Sequence, residues 1–339
     1  MEGGVVDEGP VCVTGGTGYV ASWLIKKLLE KGYTIRTTVR SATDGNERDL
    51  SYLTNLPGAA ERLQIFGADL SDPESFGPAV KGCARVFPTA HPIDYTRGSP
   101  EEVVTRVPVG GLRGTVKRVV YTATASACLF SGEDLDVADE GTWSDLEVCR
   151  RSPFYPNYLV SKTVTEKEAL EFGERHGLEV VTCVLPTVIG PFITPSVPGS
   201  VGLTASILAG TIRTTAGLSD PYHTRPKSAL DATFMIAGNV QWYELLPMWY
   251  LVHTDDAARA LIFLMESPKV KGRYVSRALE LRTHELVEFM SGRYPELNIT
   301  ITDKMKELKD RKATSLSSKK LLDAGFEYKY GVEEMFDDM

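Results

Sequence analysis

The sequence predicts an α/β protein: a doubly wound parallel sheet covered by helices, followed by a smaller C-terminal substrate-binding region. Three observations point there. Short β-branched runs alternate with amphipathic stretches, a glycine cluster separates the first run from the first amphipathic stretch, and the alternation fades beyond Gly190 into a Pro-, Gly- and Ser-rich stretch. At 339 residues the chain has room for two units, divided by these signals into 1–190 and 191–339, with part of the sheet returning near 248–265.

Taken in order, Val11–Val13 reads as the first strand and Trp23–Lys31 as the first helix. Trp23, Leu24, Leu28 and Leu29 fall on one stripe, with Lys26, Lys27 and Lys31 off its centre, which is the period of a helix packed on a sheet. Gly32 ends it as the residue past the cap. Thr34–Val39, Leu63–Phe66, Arg85–Phe87, Arg118–Thr122 and Glu179–Leu185 are further strands, each apolar enough to be buried on both faces. A long helix is predicted over Tyr158–Arg175. Val252–Asp256 reads as a strand-to-helix junction, with Thr254 or Asp255 as the cap.

Composition removes several function classes. Lys and Arg total 37 against 45 Asp and Glu, a formal charge of −8, which argues against a nucleic-acid partner. The five cysteines are scattered, without C-x-x-C spacing or a nearby His pair, so we expect no metal site and reduced thiols in a cytoplasmic protein. The acidic, Gly-rich start has no leader-like apolar stretch, and no run approaches the ~18 apolar residues that a membrane span needs.

The chemistry begins at Thr14-Gly15-Gly16-Thr17-Gly18-Tyr19-Val20-Ala21, directly after the first strand and opening the first helix. Gly15 permits a tight turn, Gly18 lets backbone approach a pyrophosphate, and Ala21 lets helix and strand pack closely. The helix N-terminus adds amides and a positive dipole end, as in the Rossmann dinucleotide site. Arg40 ends the second strand where an NAD site usually carries an acid, and a guanidinium there suits a 2′-phosphate, so NADPH (NADP+) is the expected cofactor. The alternative for Arg40 is a solvated strand-end charge. Asp69 and Leu70 fit the edge of an adenine pocket, although Asp69 could equally cap the Pro73-Glu74 helix. Tyr158 and Lys162 share one helix face at i,i+4 spacing, and a nearby ammonium would lower the phenol's pKa and make it a usable general acid. The bland alternative is a packed Tyr with Lys162 snorkelling to water. Thr124 and Ser126 place hydroxyls at the sheet's carboxyl edge, either one able to bond a substrate oxygen or simply a local backbone group.

Together with Leu53–Glu61, Phe87–Asp94, Asp139–Asp145, Asn157–Lys162, Leu185–Phe192, Val252–Ala260 and Asp323–Phe336, these residues resemble the extended short-chain dehydrogenase/reductases (NAD-dependent epimerase/dehydratase family), in the plant branch of dihydroflavonol 4-reductases and vestitone reductases. The resemblance implies Tyr158 as acid, Lys162 as its activator and ribose contact, and Thr124 as the hydroxyl that orients the carbonyl. It implies Gly15, Gly18, Tyr19, Val20, Arg40, Asp69, Leu70, Ala90, Tyr158, Lys162 and Pro186 as the cofactor set. The expected reaction is NADPH-dependent reduction of a flavonoid-like ketone by a monomer or weak dimer. Alcohol or hemiacetal oxidation on the same scaffold, or a catalytically silent NADP(H)-binding homologue, are the alternatives.

Several departures accompany the resemblance. Thr124 stands where the family usually has Ser, and Leu129 where dihydroflavonol-specific relatives have Asn. The crossover between Glu101 and Tyr121 is short and rich in Pro and Gly, leaving only Glu101–Val107 as a helix. An extra stretch near Ile212–Ala232 reads as a lid or a disordered loop, and the chain stops at Met339, before the family's usual final helix. His91 is near the expected cofactor but is left out of the catalytic set, and His253 is read as structural.

Overall fold

The structure, a computed structural model, describes residues 9–40, 49–91, 115–152, 155–208, 247–295, 309 and 311–339. The expected Glu101–Val107 helix and the 212–232 lid lie outside the described residues. Seven strands form one parallel sheet: β1 (Val11–Val13), β2 (Ile35–Val39), β3 (Leu63–Gly67), β4 (Arg85–Phe87), β5 (Arg118–Thr124), β7 (Glu179–Leu185) and β10 (Gly272–Val275). Between β5 and β7 in the chain lies the short β6 (Val137–Ala138), which pairs outside this sheet with β12 (Ser315–Leu316). The spatial order is β3-β2-β1-β4-β5-β7-β10. The chain therefore runs outward from β1 to one edge and then returns to β4 on its other side. A crevice opens at that reversal, outside the carboxyl ends of β1 and β4.

Alternation of side chains assigns the two faces. Val11 and Val13 enter the core with the first helix, Tyr19–Glu30, whereas Cys12 packs on the opposite side with Ala79, Val80 and Cys83. The helix buries Trp23, Leu24, Leu28 and Leu29 as its periodicity predicts, and Gly32 follows its cap at φ +87°. It packs beside helix Thr254–Glu266, and Trp23 Nε1 donates to Asp255 Oδ1 across the pair at 3.1 Å. Arg118 closes the C-terminal end of that second helix, donating to the carbonyls of Leu264 and Met265 at 3.2 and 3.3 Å while paired to Glu179 at 2.7 Å.

The long helix is Pro156–His176, with Tyr155 as its cap at φ +41°, the one non-glycine residue with positive φ among the described residues. Proline at the first helical position fits because its missing N–H would have had no intrahelical partner. After β7 the chain passes Pro186 and begins a second, three-stranded sheet of β8 (Thr187–Ile189), β9 (Met248–His253) and β11 (Leu279–Arg282). Its core of Ile189, Trp249, Leu251, Leu286 and Val287 includes Met335 and Phe336 from the last helix.

Four expectations are corrected here. β3 is a half-exposed edge strand with Gln64 in solvent, since it has a neighbour on one side only. The return to the main sheet is made by β10, whereas 248–265 supplies β9 of the small sheet and most of a covering helix. The cap of that helix is His253, whose Nδ1 accepts from Asp255 N–H at 3.1 Å. Asp69 does not cap the Pro73 turn: Asp72 holds the cap position, and the Asp69 carboxylate accepts from Ser71 N–H and Oγ at 2.8 and 2.6 Å.

Candidate active site

The glycine turn sits in the crevice between β1 and β4. Gly15 lies at φ +70°, and a Cβ there would come within 3.0 Å of Ala90 Cα, so only glycine fits against the end of β4. A Cβ on Gly16 would meet Thr37 Oγ1 at 2.2 Å, a constraint the sequence reading passed over although Gly16 stood inside the motif. Gly15 N–H donates to Thr38 Oγ1 at 3.0 Å, and Ala90 N–H donates to Thr14 Oγ1 at 3.0 Å, which ties three strand ends together. Gly18 caps the first helix without a side-chain bond, and no acid occupies the first turn. The amides and dipole at this end therefore face no competing carboxylate. A tight glycine turn that leaves no room for Cβ atoms at Gly15 and Gly16, at an unblocked helix N-terminus, fits the pyrophosphate of a dinucleotide.

The remaining cofactor candidates spread along the same edge. Val20 is half-buried in the first turn, and Tyr19 donates from Oη to Gly190 O at 2.9 Å, spanning to the end of β8. Arg40 lies just past β2 with its side chain 61% exposed, its Nε 3.8 Å from Asp69 Oδ2, so it is reachable by an anion from solvent. The bonds from Ser71 hold the Asp69 carboxyl below its ordinary range. Leu70 is half-buried beside it, and Pro186 is half-buried between β7 and β8.

Thr124 ends β5, and Tyr158 and Lys162 project from the long helix above it. The Thr124 hydroxyl hydrogen-bonds the Tyr158 phenol, and it also lies 3.4 Å from Ser126 Oγ. Of the two candidate hydroxyls, Thr124 is thus the one joined to Tyr158. Lys162 is buried and does not snorkel: Nζ donates to Thr122 O at 2.9 Å and approaches Tyr121 Oη at 3.5 Å. Burial lowers the Lys162 ammonium to about 8, opposed by the charge of Glu166. Burial pushes the Tyr158 phenol upward, and the bond with Thr124 only partly offsets this. The expected lowering of the phenol is not found, because desolvation dominates and the ammonium is engaged by the Thr122 carbonyl. Tyr158 therefore holds its proton at neutral pH, the state a proton donor requires.

His91 joins this group although the sequence reading left it out. Its ring meets the Tyr158 ring edge-on at 6.0 Å, and Nε2 lies 3.4 Å from Ser161 Oγ. Burial, reinforced by the Lys162 charge, lowers His91 to about 2, so the imidazole stays neutral. Tyr121 and Glu166 were also missed. No motif marks them, and only the stacking of the long helix on β5 and β7 brings them under Lys162.

A dinucleotide cradle at the crevice and a half-buried Thr124-Tyr158 pair over the buried Lys162 beside it define an NAD(P)-linked enzyme of the epimerase/dehydratase type. The profile of the NAD dependent epimerase/dehydratase family matches residues 11–278, and the chain belongs to that family. It is 42% identical over 341 residues to vestitone reductase of Medicago sativa, covering 98% of this chain and 95% of that protein. It is 44% identical over 348 residues to Protein BRI1-5 ENHANCED 1 of Arabidopsis thaliana, covering 98% and 88%. The crystal structure of the alfalfa vestitone reductase superposes with a TM-score of 0.76 at 41% identity, covering 97% of this chain and 96% of that one.

Proposed function

We propose that this protein is an NADPH-dependent reductase that converts a flavonoid-like ketone, of the isoflavanone, flavanone or dihydroflavonol class, to the alcohol. The observation that carries the reading is the half-buried Tyr158 phenol, kept protonated and hydrogen-bonded to Thr124, one helical turn from the Lys162 ammonium. The likeness to vestitone reductase over nearly the whole chain supports the substrate class.

Gly15, Gly18, Tyr19, Val20, Ala90 and Pro186 would hold the body of the dinucleotide, with Arg40, Asp69 and Leu70 at its adenosine end. NADPH, when bound, supplies the hydride for the carbonyl carbon. Thr124 Oγ1 orients the carbonyl oxygen, and Tyr158 Oη gives that oxygen its proton. Lys162, anchored on Thr122 O, would hold its ammonium toward the cofactor's ribose, as the family resemblance implies, and solvent would restore the Tyr158 proton. Leu129, half-buried beside the core of β5, offers no hydrogen bond to a hydroxylated ring, which favours substrates other than dihydroflavonols within the class.

We assign cofactor binding to residues 1–190 and mainly substrate binding to 191–339, in a cytoplasmic monomer or weak dimer. All five cysteines are buried free thiols, in keeping with a reducing compartment, and no described helix is long and apolar enough to cross a membrane. Fluorescence titration with NADPH followed by turnover of a panel of flavanones, isoflavanones and dihydroflavonols tests the reading. Saturable binding with reduction of at least one ketone is expected. Binding without turnover of any of them would identify a silent NADP(H)-binding homologue instead.

A further inference from the structure

Glu166 lies one turn beyond Lys162 on the long helix, and none of its surface reaches solvent. Its carboxylate accepts from Thr182 Oγ1 on β7 at 2.6 Å and from Arg273 on β10, Nε at 2.9 Å and Nη2 at 3.3 Å. Arg273 is itself buried. It donates to the carbonyls of Glu140 and Thr142 at 2.9 and 2.8 Å and to Cys128 Sγ at 3.2 Å, and it stacks on Trp143 at 3.5 Å. Cys128 belongs to the short helix Ser126–Leu129, which begins two residues past Thr124. The ion pair therefore joins the helix that carries Tyr158 and Lys162 to the segment that follows Thr124.

A buried ion pair adds little net stability compared with a well-packed apolar replacement, so folding alone gives no reason for charge at this place. Its position relative to Lys162 does. The groups facing that ammonium are Tyr121 and the Thr122 carbonyl from β5, His91 from the end of β4, and Glu166 from its own helix. Among these described residues Glu166 alone brings a negative charge. Cys183 on β7 and Cys128 lie near the same carboxylate, and burial keeps both as thiols.

We propose that Glu166, clamped by Arg273 and Thr182, is a positioning residue that keeps Lys162 in its ammonium form and holds its helix in register with Thr124. The argument rests on the reductase reading above, in which Lys162 acts as a cation. Burial already brings Lys162 to about 8, and Glu166 opposes that fall. Without the carboxylate the ammonium would lose its proton at lower pH, and every function that needs the cation would fail earlier as pH rises.

The test follows kcat and NADPH affinity, the latter by fluorescence, from about pH 6 to about pH 10 in wild type, Glu166→Gln and Glu166→Asp. Glu166→Gln keeps the side-chain shape and the acceptor for Thr182 and Arg273 Nε, gives up the acceptor for Arg273 Nη2 and removes the charge, and its alkaline limb should move to lower pH by at least about half a unit in both readouts. Glu166→Asp should keep the limb of wild type. If Glu166→Gln does not fold, the double variant Glu166→Gln/Arg273→Met leaves no buried charge unpaired and should shift in the same direction by less, because the Arg273 cation that opposes Glu166 is removed with it. Limbs that superimpose on wild type in the folded variant overturn the inference. Wild-type protein that binds NADPH but reduces no ketone would instead overturn the reductase reading, and the binding curves would still report on Glu166.

Discussion

Tyr158→Phe removes a single oxygen from a half-buried side chain, so helix packing survives while the proton donor is lost. The expected outcome is a fall in kcat of at least about 100-fold with the dissociation constant for NADPH nearly unchanged. Stopped-flow turnover and fluorescence titration of the same preparation check it, and near-wild-type rates would show that the proton takes another route. Arg40 provides a second test at this scale. A charge-assisted contact with a 2′-phosphate is worth about 1.5–3 kcal/mol, but the side chain is 61% exposed and already shares Asp69, so solvent screening puts the effect at the lower end. Wild type should prefer NADPH over NADH by about 10-fold, and Arg40→Ser should lose most of this through a raised KM for NADPH, with kcat little changed. Equal preference in the wild-type protein contradicts the assignment. Both residues were legible as candidates in the sequence, because a strand-end arginine and an i,i+4 Tyr-Lys pair are local patterns. The raised phenol was not, since desolvation comes from elements far away in the chain.

Two helices distant in sequence meet through one carboxylate. Asp255, 6% exposed, accepts from Trp23 Nε1 and pairs with Lys27, both at 3.1 Å. Burial pushes its carboxyl up, yet these two partners outweigh burial and hold it below the ordinary value. A depressed folded-state value means that the stabilisation is present above the unfolded pKa, about 3.9, and is lost as pH falls through the folded value. Asp255→Asn should thus unfold about 1–3 kcal/mol more easily than wild type at pH 7, and the gap should narrow at acid pH as the carboxyl takes up its proton. Urea titrations at neutral and at acid pH measure this, and a constant gap at both would rule out the charge as its source. The sequence placed a cap at Thr254 or Asp255. The imidazole of His253 fills that role instead, which leaves the Asp255 carboxylate available to the first helix.

For the molecule as a whole, the terminal segment is part of the core that frames the site. Lys329 and Tyr330 N–H groups donate to Asp256, the Tyr330 ring stacks on His253 at 3.8 Å, and Phe336 is buried against the core of the small sheet, whose first strand follows Pro186. Phe336→Ala should cost about 3–5 kcal/mol in denaturant unfolding, with a single transition. A loss below about 1 kcal/mol would mean that this segment folds apart from the rest. By itself the sequence determined the strand-turn-helix entry, the parallel α/β class and the succession of strands as far as Glu179–Leu185, because hydrophobic period, glycine placement and i,i+4 spacing are short-range signals. Tertiary structure alone decided that Lys162 rests on Thr122, that His91 stands beside Tyr158, and that Glu166 and Arg273 close a buried pair beneath them. Those contacts join residues 40 to 107 positions apart. Only the stacking of helix on sheet sets their distances and removes their water.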